Sequence, residues 1–90
     1  MLFCFDNPEH VGFWGKNTYI PLDVAFISED NKIASIREII PMSTNIIRCD
    51  SPCKYGLEAN HDYFKSNSIE IGDRVEINGN ELVFVKKEKT

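Results

Sequence analysis

Pro21-Leu22-Asp23-Val24-Ala25-Phe26-Ile27 is followed by Ser28-Glu29-Asp30-Asn31 and then by Lys32-Ile33-Ala34-Ser35-Ile36-Arg37-Glu38-Ile39-Ile40. An apolar run that begins after a proline, a polar turn and a second apolar run together predict an antiparallel hairpin. Within the first strand Leu22, Val24 and Phe26 share one face, and Asp23, Ala25 and Ile27 share the other. The strand reads as buried, which makes Asp23 conspicuous, because a carboxylate there must be paired or solvated.

Strand signals also outnumber helix signals on either side. Met1 to Phe5 forms a short apolar run ended by the turn residues Asp6-Asn7-Pro8, and Val11 to Gly15 is aromatic-rich and extended. Pro41 stops the second strand of the hairpin. Residues 42–52 read as an irregular connection anchored by Ile46 and Ile47, before another short strand over Tyr55 to Ala59. Asn60 is a good N-cap, with Asp62 in the first turn of one short helix near residues 60–67 that packs through Tyr63 and Phe64. Asn78-Gly79 is a strong hairpin signal between Asp73 to Ile77 and Glu81 to Val85. It places Val75 opposite Leu82, on one face with Ile77 and Phe84. The whole predicts a mostly β fold: a small antiparallel β-sandwich or barrel with one short helix.

Ninety residues make one domain, 1–90, and 42% hydrophobic and 11% aromatic residues are enough for a core. A net charge of −4 argues against a nucleic-acid surface. The one basic cluster, Lys86-Lys87-Glu88-Lys89, reads as a solvated tail. With no apolar run of ~20 residues and no basic-then-apolar leader, the expectation is a soluble cytoplasmic protein without membrane contact.

Three cysteines are an odd set, which favours a reducing compartment over a disulfide framework. Cys49-Asp50-Ser51-Pro52-Cys53 has a spacing that would serve zinc if His10 or His61 completed the site. The alternatives are loop or core cysteines, or a redox pair. No metal or cofactor is expected, since a second Cys pair, a Gly-rich phosphate loop and a nucleophile motif are all missing.

Phe13-Trp14-x-Lys16-Asn17-Thr18-x-Ile20-Pro21-Leu22-Asp23-Val24-Ala25-Phe26-Ile27 resembles the central signature of the uncharacterised family known as domain of unknown function 192. The resemblance continues through Pro41, Ser51-Pro52, Lys54-Tyr55 and Leu57-Glu58-x-Asn60, and ends with Ile69-x-Ile71-Gly72-Asp73-x-Val75. It covers residues 1–75 and implies a small β-sandwich or barrel, in a family often exported and without an established activity. Three departures stand out. Gly15 stands where the family usually has Met, which suggests an enlarged pocket beside Trp14 and Lys16. His61-Asp62 replaces an Ala-Gly pair. The family's usual upstream strand does not precede Met1, so the added C-terminal hairpin strand, residues 76–86, is expected to cover the edge left open. Edge-paired dimerisation is the alternative.

Candidate site residues follow from side-chain chemistry. Trp14 is either a stacking platform with an N–H donor or a lid on the core. Lys16 and Asn17 suit an anionic ligand group, or else form a turn bonded to local backbone. Asp23 is expected to tie down the Lys16 to Tyr19 loop or to pair with Lys16. The sharper alternative is an Asp23–Glu58 carboxylate pair working as acid and base in a hydrolase-like reaction. The balance favours a non-catalytic module that binds a small molecule or a protein through Trp14, Lys16 and Asn17, as a monomer or an edge-paired homodimer. A structural subunit that assembles through its sheet edges is a third possibility.

Overall fold

The computed structural model of the protein describes residues 1–9, 12–16, 18–49, 52–79 and 81–87, without the side chains of residues 5–9. Its centre is a four-stranded antiparallel sheet ordered β1-β6-β3-β4, from β1 (Leu2–Glu9), β3 (Leu22–Ser28), β4 (Ile33–Ile39) and β6 (Cys53–Asn60). Two ribbons complete the β structure: β2 (Gly12–Phe13) with β5 (Ile47–Arg48), and β7 (Arg74–Asn78) with β8 (Glu81–Val85). The fold is mostly β and antiparallel, as the strand patterns predict, and it is layered; among the described residues no sheet closes into a barrel.

The alternation seen in β3 organises the layers. Ala25 and Ile27 join Ile33, Leu57, Phe64, Ile69 and Val75 in one core cluster, packed by Ile77, Leu82 and Phe84 of the β7–β8 hairpin. Val24 and Phe26 face the opposite way, into a second cluster with Ile39, Cys49 and Cys53 and with Phe13 and Ile47 of the β2–β5 ribbon. The central strand is therefore covered on both faces, and Val24 through Ile27 have no exposed surface at all. Phe13 holds its ribbon in place by edge-to-face contacts with Phe3 (5.3 Å between centroids) and Phe26 (5.6 Å). Gly56 pairs with both Phe3 and Phe26 in the ladder, so no side chain intervenes between those rings.

Several local expectations are corrected. β1 does not stop at Asp6-Asn7-Pro8 but reaches Glu9, with an irregularity between Cys4 and Glu9. A proline is tolerated there because β1 is an outer strand. The 42–52 connection contains a strand, β5, too short to leave a periodic signal. Asn60 ends β6 instead of capping a helix. The helix, α1, is only Tyr63–Ser66, and its N-cap is Asp62 in the left-handed region (φ 66°) without a side-chain capping bond.

In the last hairpin Val75 pairs with Phe84 and Ile77 with Leu82, and the ladder closes at Asn78 and Glu81. The turn therefore begins at Gly79, one step later than the Asn78-Gly79 dipeptide suggests. A shift of that parity changes partners but keeps each side chain on its face. Nor does β8 cover the outer edge of β1. The hairpin joins the sheet at the far side, beside the β3–β4 turn, through a Lys32–Arg74 bridge and a Val75 N–H to Asn31 carbonyl bond of 2.7 Å.

Candidate functional site

Two loops meet at one end of the molecule. The first leaves β2 and runs to Pro21, and the second leaves β4 and runs to Ile46. The carbonyl of Gly15 joins them: it accepts the N–H of Thr18 at 3.0 Å and the N–H of Met42 at 2.6 Å, and Met42 N–H also reaches the Thr18 carbonyl at 3.1 Å. To make these bonds Met42 adopts a positive φ of 60°, a conformation an unbranched side chain adopts only when its surroundings impose it. Gly15 is buried, and a Cβ placed on it would lie 2.0 Å from the carbonyl oxygen of Ile40. The space left by this glycine is filled by backbone, so it does not enlarge a pocket.

Around this junction the large apolar side chains point outward. Trp14 is 49% exposed and Tyr19 84%, and Ile20, Ile40, Met42 and Ile46 are exposed as well. Trp14 lines an open cavity of about 220 Å³ with Gly12, Phe13, Ile46 and Arg48. The Lys16 ammonium lies 5.3 Å from the centre of the Trp14 ring, a cation–π arrangement. Trp14 and Lys16 are thus brought together beside a cavity; Asn17 lies outside the described residues. Sequence patterns did not single out Tyr19, Ile20, Ile40 and Met42, and Ile46, read as an anchor of the 42–52 connection, is exposed instead. The available signal was that all flank Pro21 or Pro41 or sit in a connection, where apolar residues have no strand to bury them.

Asp23 and Glu58 do not converge. Asp23 pairs with Ala59 in the β3–β6 ladder while Glu58 pairs with Val24, so the two carboxylates leave opposite faces of the sheet. Burial pushes the Glu58 carboxyl up, partly offset by the positive charge of the chain's amino group. Asp23 holds neither Lys16 nor the loop before it. One of its oxygens lies 3.0 Å from His61 Nδ1, and the other accepts the Asp62 N–H at 2.9 Å. It thereby fixes the turn that leads from β6 into α1. Asp62 sits there with φ 66°, where a glycine would be unstrained.

His61 Nε2 lies 3.4 Å from Asp62, so both ring nitrogens face carboxylates. Asp23, His61 and Asp62 are the described residues whose donor atoms gather closely enough to hold a metal ion. Their mutual contacts already serve the turn. Cys49 and Cys53 lie in the core cluster on the other side of the sheet from His61, and their Sγ atoms are 2.6 Å apart. Two thiolates on one tetrahedral zinc stand about 3.8 Å apart, given Zn–S bonds of ~2.3 Å, so the zinc expectation does not fit this geometry. His10 lies outside the described residues.

The hydrogen bond to Asp23, more than it is opposed by desolvation, raises the pKa of His61 above that of a free imidazole, with Asp62 and Glu38 adding to the effect. The contact therefore contributes fully below about pH 6.5, the unfolded value, and is lost as pH rises through the raised value. Asp23→Asn is expected to return His61 toward its ordinary titration, followed by the ring carbon-bound protons in NMR. An unchanged midpoint would show that the contact does not form in solution.

The family whose sequence pattern matches is DUF192, described as Uncharacterized ACR, over residues 1–77. This chain belongs to the DUF192 family. The match runs two residues past the resemblance read from the motifs. Two solved structures are similar to this DUF192 chain. One, from Sinorhizobium meliloti 1021 and provisionally described as a transcription regulator, is 38% identical with a TM-score of 0.79, over 93% of this chain and 60% of its own. The other, a protein of unknown function from Novosphingobium aromaticivorans DSM 12444, is 31% identical with a TM-score of 0.81, over 86% of this chain and 56% of its own. The chain thus spans less than two thirds of either relative. Among curated proteins none matches. Among the described residues no helix is long and apolar enough to cross a membrane.

Proposed function

We propose that this DUF192 domain is a non-catalytic protein-binding module whose binding face is the loop pair around Trp14 and Ile46. The observation that carries the proposal is the gathering of six exposed large apolar side chains, Trp14, Tyr19, Ile20, Ile40, Met42 and Ile46, on two hydrogen-bonded loops. Single exposed apolar residues are ordinary, but a group of them on an ordered platform is the composition of a docking surface. The Trp14 cavity offers a seat for one apolar anchor, and tryptophan is the side chain most often found to dominate such interfaces. Lys16 at its edge places positive charge on a chain that is acidic as a whole. The partner segment that fits is an aromatic or aliphatic residue flanked by Asp or Glu. The competing hydrolase-like reading lacks support from the register, which separates Asp23 from Glu58.

Trp14 is the single tryptophan of the chain, so its fluorescence reports occupancy of the cavity directly. Peptides selected from a random display library against the wild-type chain are expected to carry an apolar residue beside Asp or Glu. On binding they should shift Trp14 emission to shorter wavelength. Lys16→Glu is expected to weaken them about tenfold, and Trp14→Ala about thirtyfold or more, the effect of losing an interface anchor. No enrichment over a protein-free surface, or peptides that bind Trp14→Ala as tightly as wild type, would sink the proposal.

A further inference from the structure

Cys49 follows β5 directly and Cys53 opens β6, and both thiols are buried in the cluster beneath the β2–β5 ribbon, with 3% and 0% of their surface exposed. Their sulfur atoms stand 2.6 Å apart, inside the contact distance of two unbonded sulfurs. A disulfide bond is ~2.05 Å, so about half an ångström of closure between the sulfurs separates the two states. We propose that Cys49 and Cys53 are a dithiol–disulfide couple, oxidised by exchange with a small-molecule disulfide to close the 49–53 loop and lock β5 to the start of β6.

The reaction balances as two exchanges. Cys49, as thiolate, attacks one sulfur of the small disulfide, forms a mixed disulfide and releases one thiolate. Cys53 then gives up its proton and attacks the Cys49 sulfur, which releases the second thiolate. The two protons from the cysteines go to the released thiolates, so two protein thiols are oxidised and one disulfide is reduced to two thiols. Cys49 is the entry point because β5 is held by a two-residue ladder, whereas Cys53 belongs to a strand of eight residues. Burial first, and the Cys49 contact second, push the Cys53 thiol up to about 12. The thiolate is therefore scarce in the closed structure, and oxidation proceeds slowly at neutral pH. Cys4, exposed on β1, stays outside the couple. Ile46 and Arg48, which wall the Trp14 cavity, flank the locked segment, so the oxidised form also fixes one side of the binding face. That last consequence rests on the proposed function; the couple itself does not.

The full chain is incubated with oxidised glutathione, denatured in acid, alkylated and digested with trypsin. Cleavage after Arg48 and Lys54 yields one peptide, residues 49–54, that contains both cysteines. It is expected to be lighter by two hydrogens and closed to alkylation, and to regain two alkylated sites after reduction. Two alkylated cysteines, or glutathione attached to Cys49 or Cys53, under conditions that modify Cys4 would overturn the couple. In a Cys4→Ser background the oxidised chain is expected to melt about 5 °C or more above the reduced one, reversibly. Equal melting temperatures would overturn the lock. If the disulfide forms but the affinity of a selected peptide is unchanged, the couple stands and its link to the binding face falls.

Discussion

Asp73→Ala is expected to destabilise the domain by about 2–4 kcal/mol in urea unfolding, a large share of the ~5–15 kcal/mol that holds a domain of this kind together. The Asp73 carboxylate has no exposed surface. One oxygen accepts the Glu70 N–H and the Lys86 ammonium, both at 2.8 Å, and the other accepts the Lys87 N–H at 3.0 Å. Removing it leaves two main-chain donors without their acceptor and takes one of three partners from the Lys86 ammonium, which also reaches the Ser68 carbonyl and the Glu70 carboxylate. The loss stays below the full cost of breaking a buried pair because Lys86 is half exposed and screened by solvent. The main chain makes the position more consequential. The Asp73 carbonyl accepts the Ile33 N–H at 2.9 Å and the Ile33 carbonyl accepts the Gly72 N–H at 2.8 Å, so the 70–73 turn joins the start of β4 to the chain that follows β8. Its loss loosens the hairpin that covers the Ala25 and Ile27 face.

The same residue sets the acid limit of the fold. Burial alone would favour its neutral form, but Lys86 and the Glu70 and Lys87 N–H groups outweigh burial and hold it down to about 2. A lowered carboxyl contributes fully above its unfolded value of about 3.9 and loses that contribution as pH falls through about 2. Wild type should therefore weaken more steeply than Asp73→Asn between about pH 4 and pH 2. A loss below about 1 kcal/mol for Asp73→Ala, or identical acid profiles, would contradict the assignment.

Gly15→Ala is expected to cost about 1–3 kcal/mol and to disturb the binding face, although it adds a single methyl group. That methyl meets the Ile40 carbonyl oxygen at 2.0 Å and the Ile40 carbonyl carbon at 2.9 Å, both main-chain atoms with no rotamer to escape into. The two loops must move apart, and the bonds from Thr18 and Met42 to the Gly15 carbonyl stretch or break. Gly12 makes the contrast. The nearest atom to a Cβ there is a methyl of Ile46, at 2.4 Å, and a side chain can turn aside. Gly15→Ala should thus lower the melting temperature more than Gly12→Ala and shift Trp14 emission in the absence of any ligand. A Gly15→Ala chain as stable as wild type would show that the close approach of the loops is not kept in solution.

The central strand was legible because its pattern is local. A proline at its start, alternation on two apolar faces and a polar turn after it specify β3 and β4 without reference to distant residues. Asp23 was legible as an anomaly but not in its partner, since His61 and Asp62 lie almost forty positions away and are brought near by the β3–β6 ladder. Gly15 was misleading: a missing side chain suggests space, and only the path of the second loop shows that the Ile40 carbonyl takes it. The ribbon strand β5 escaped notice because two residues carry no period. The exposed apolar group was hidden for a related reason. Its members come from two segments, and each alone resembles an ordinary connection.

The Gly15 carbonyl binds both loops through N–H groups of the main chain, which every residue except proline supplies. The side chains at positions 14, 19, 20, 40, 42 and 46 are accordingly spared from holding the loops together. Mutation can exchange them with little effect on folding, and what they recognise can drift while the frame persists. Across descendants of this chain, sequence variability should concentrate on the outward positions outside the family signature, 19, 40, 42 and 46, and a small residue at 15 is required only where the second loop keeps this close path.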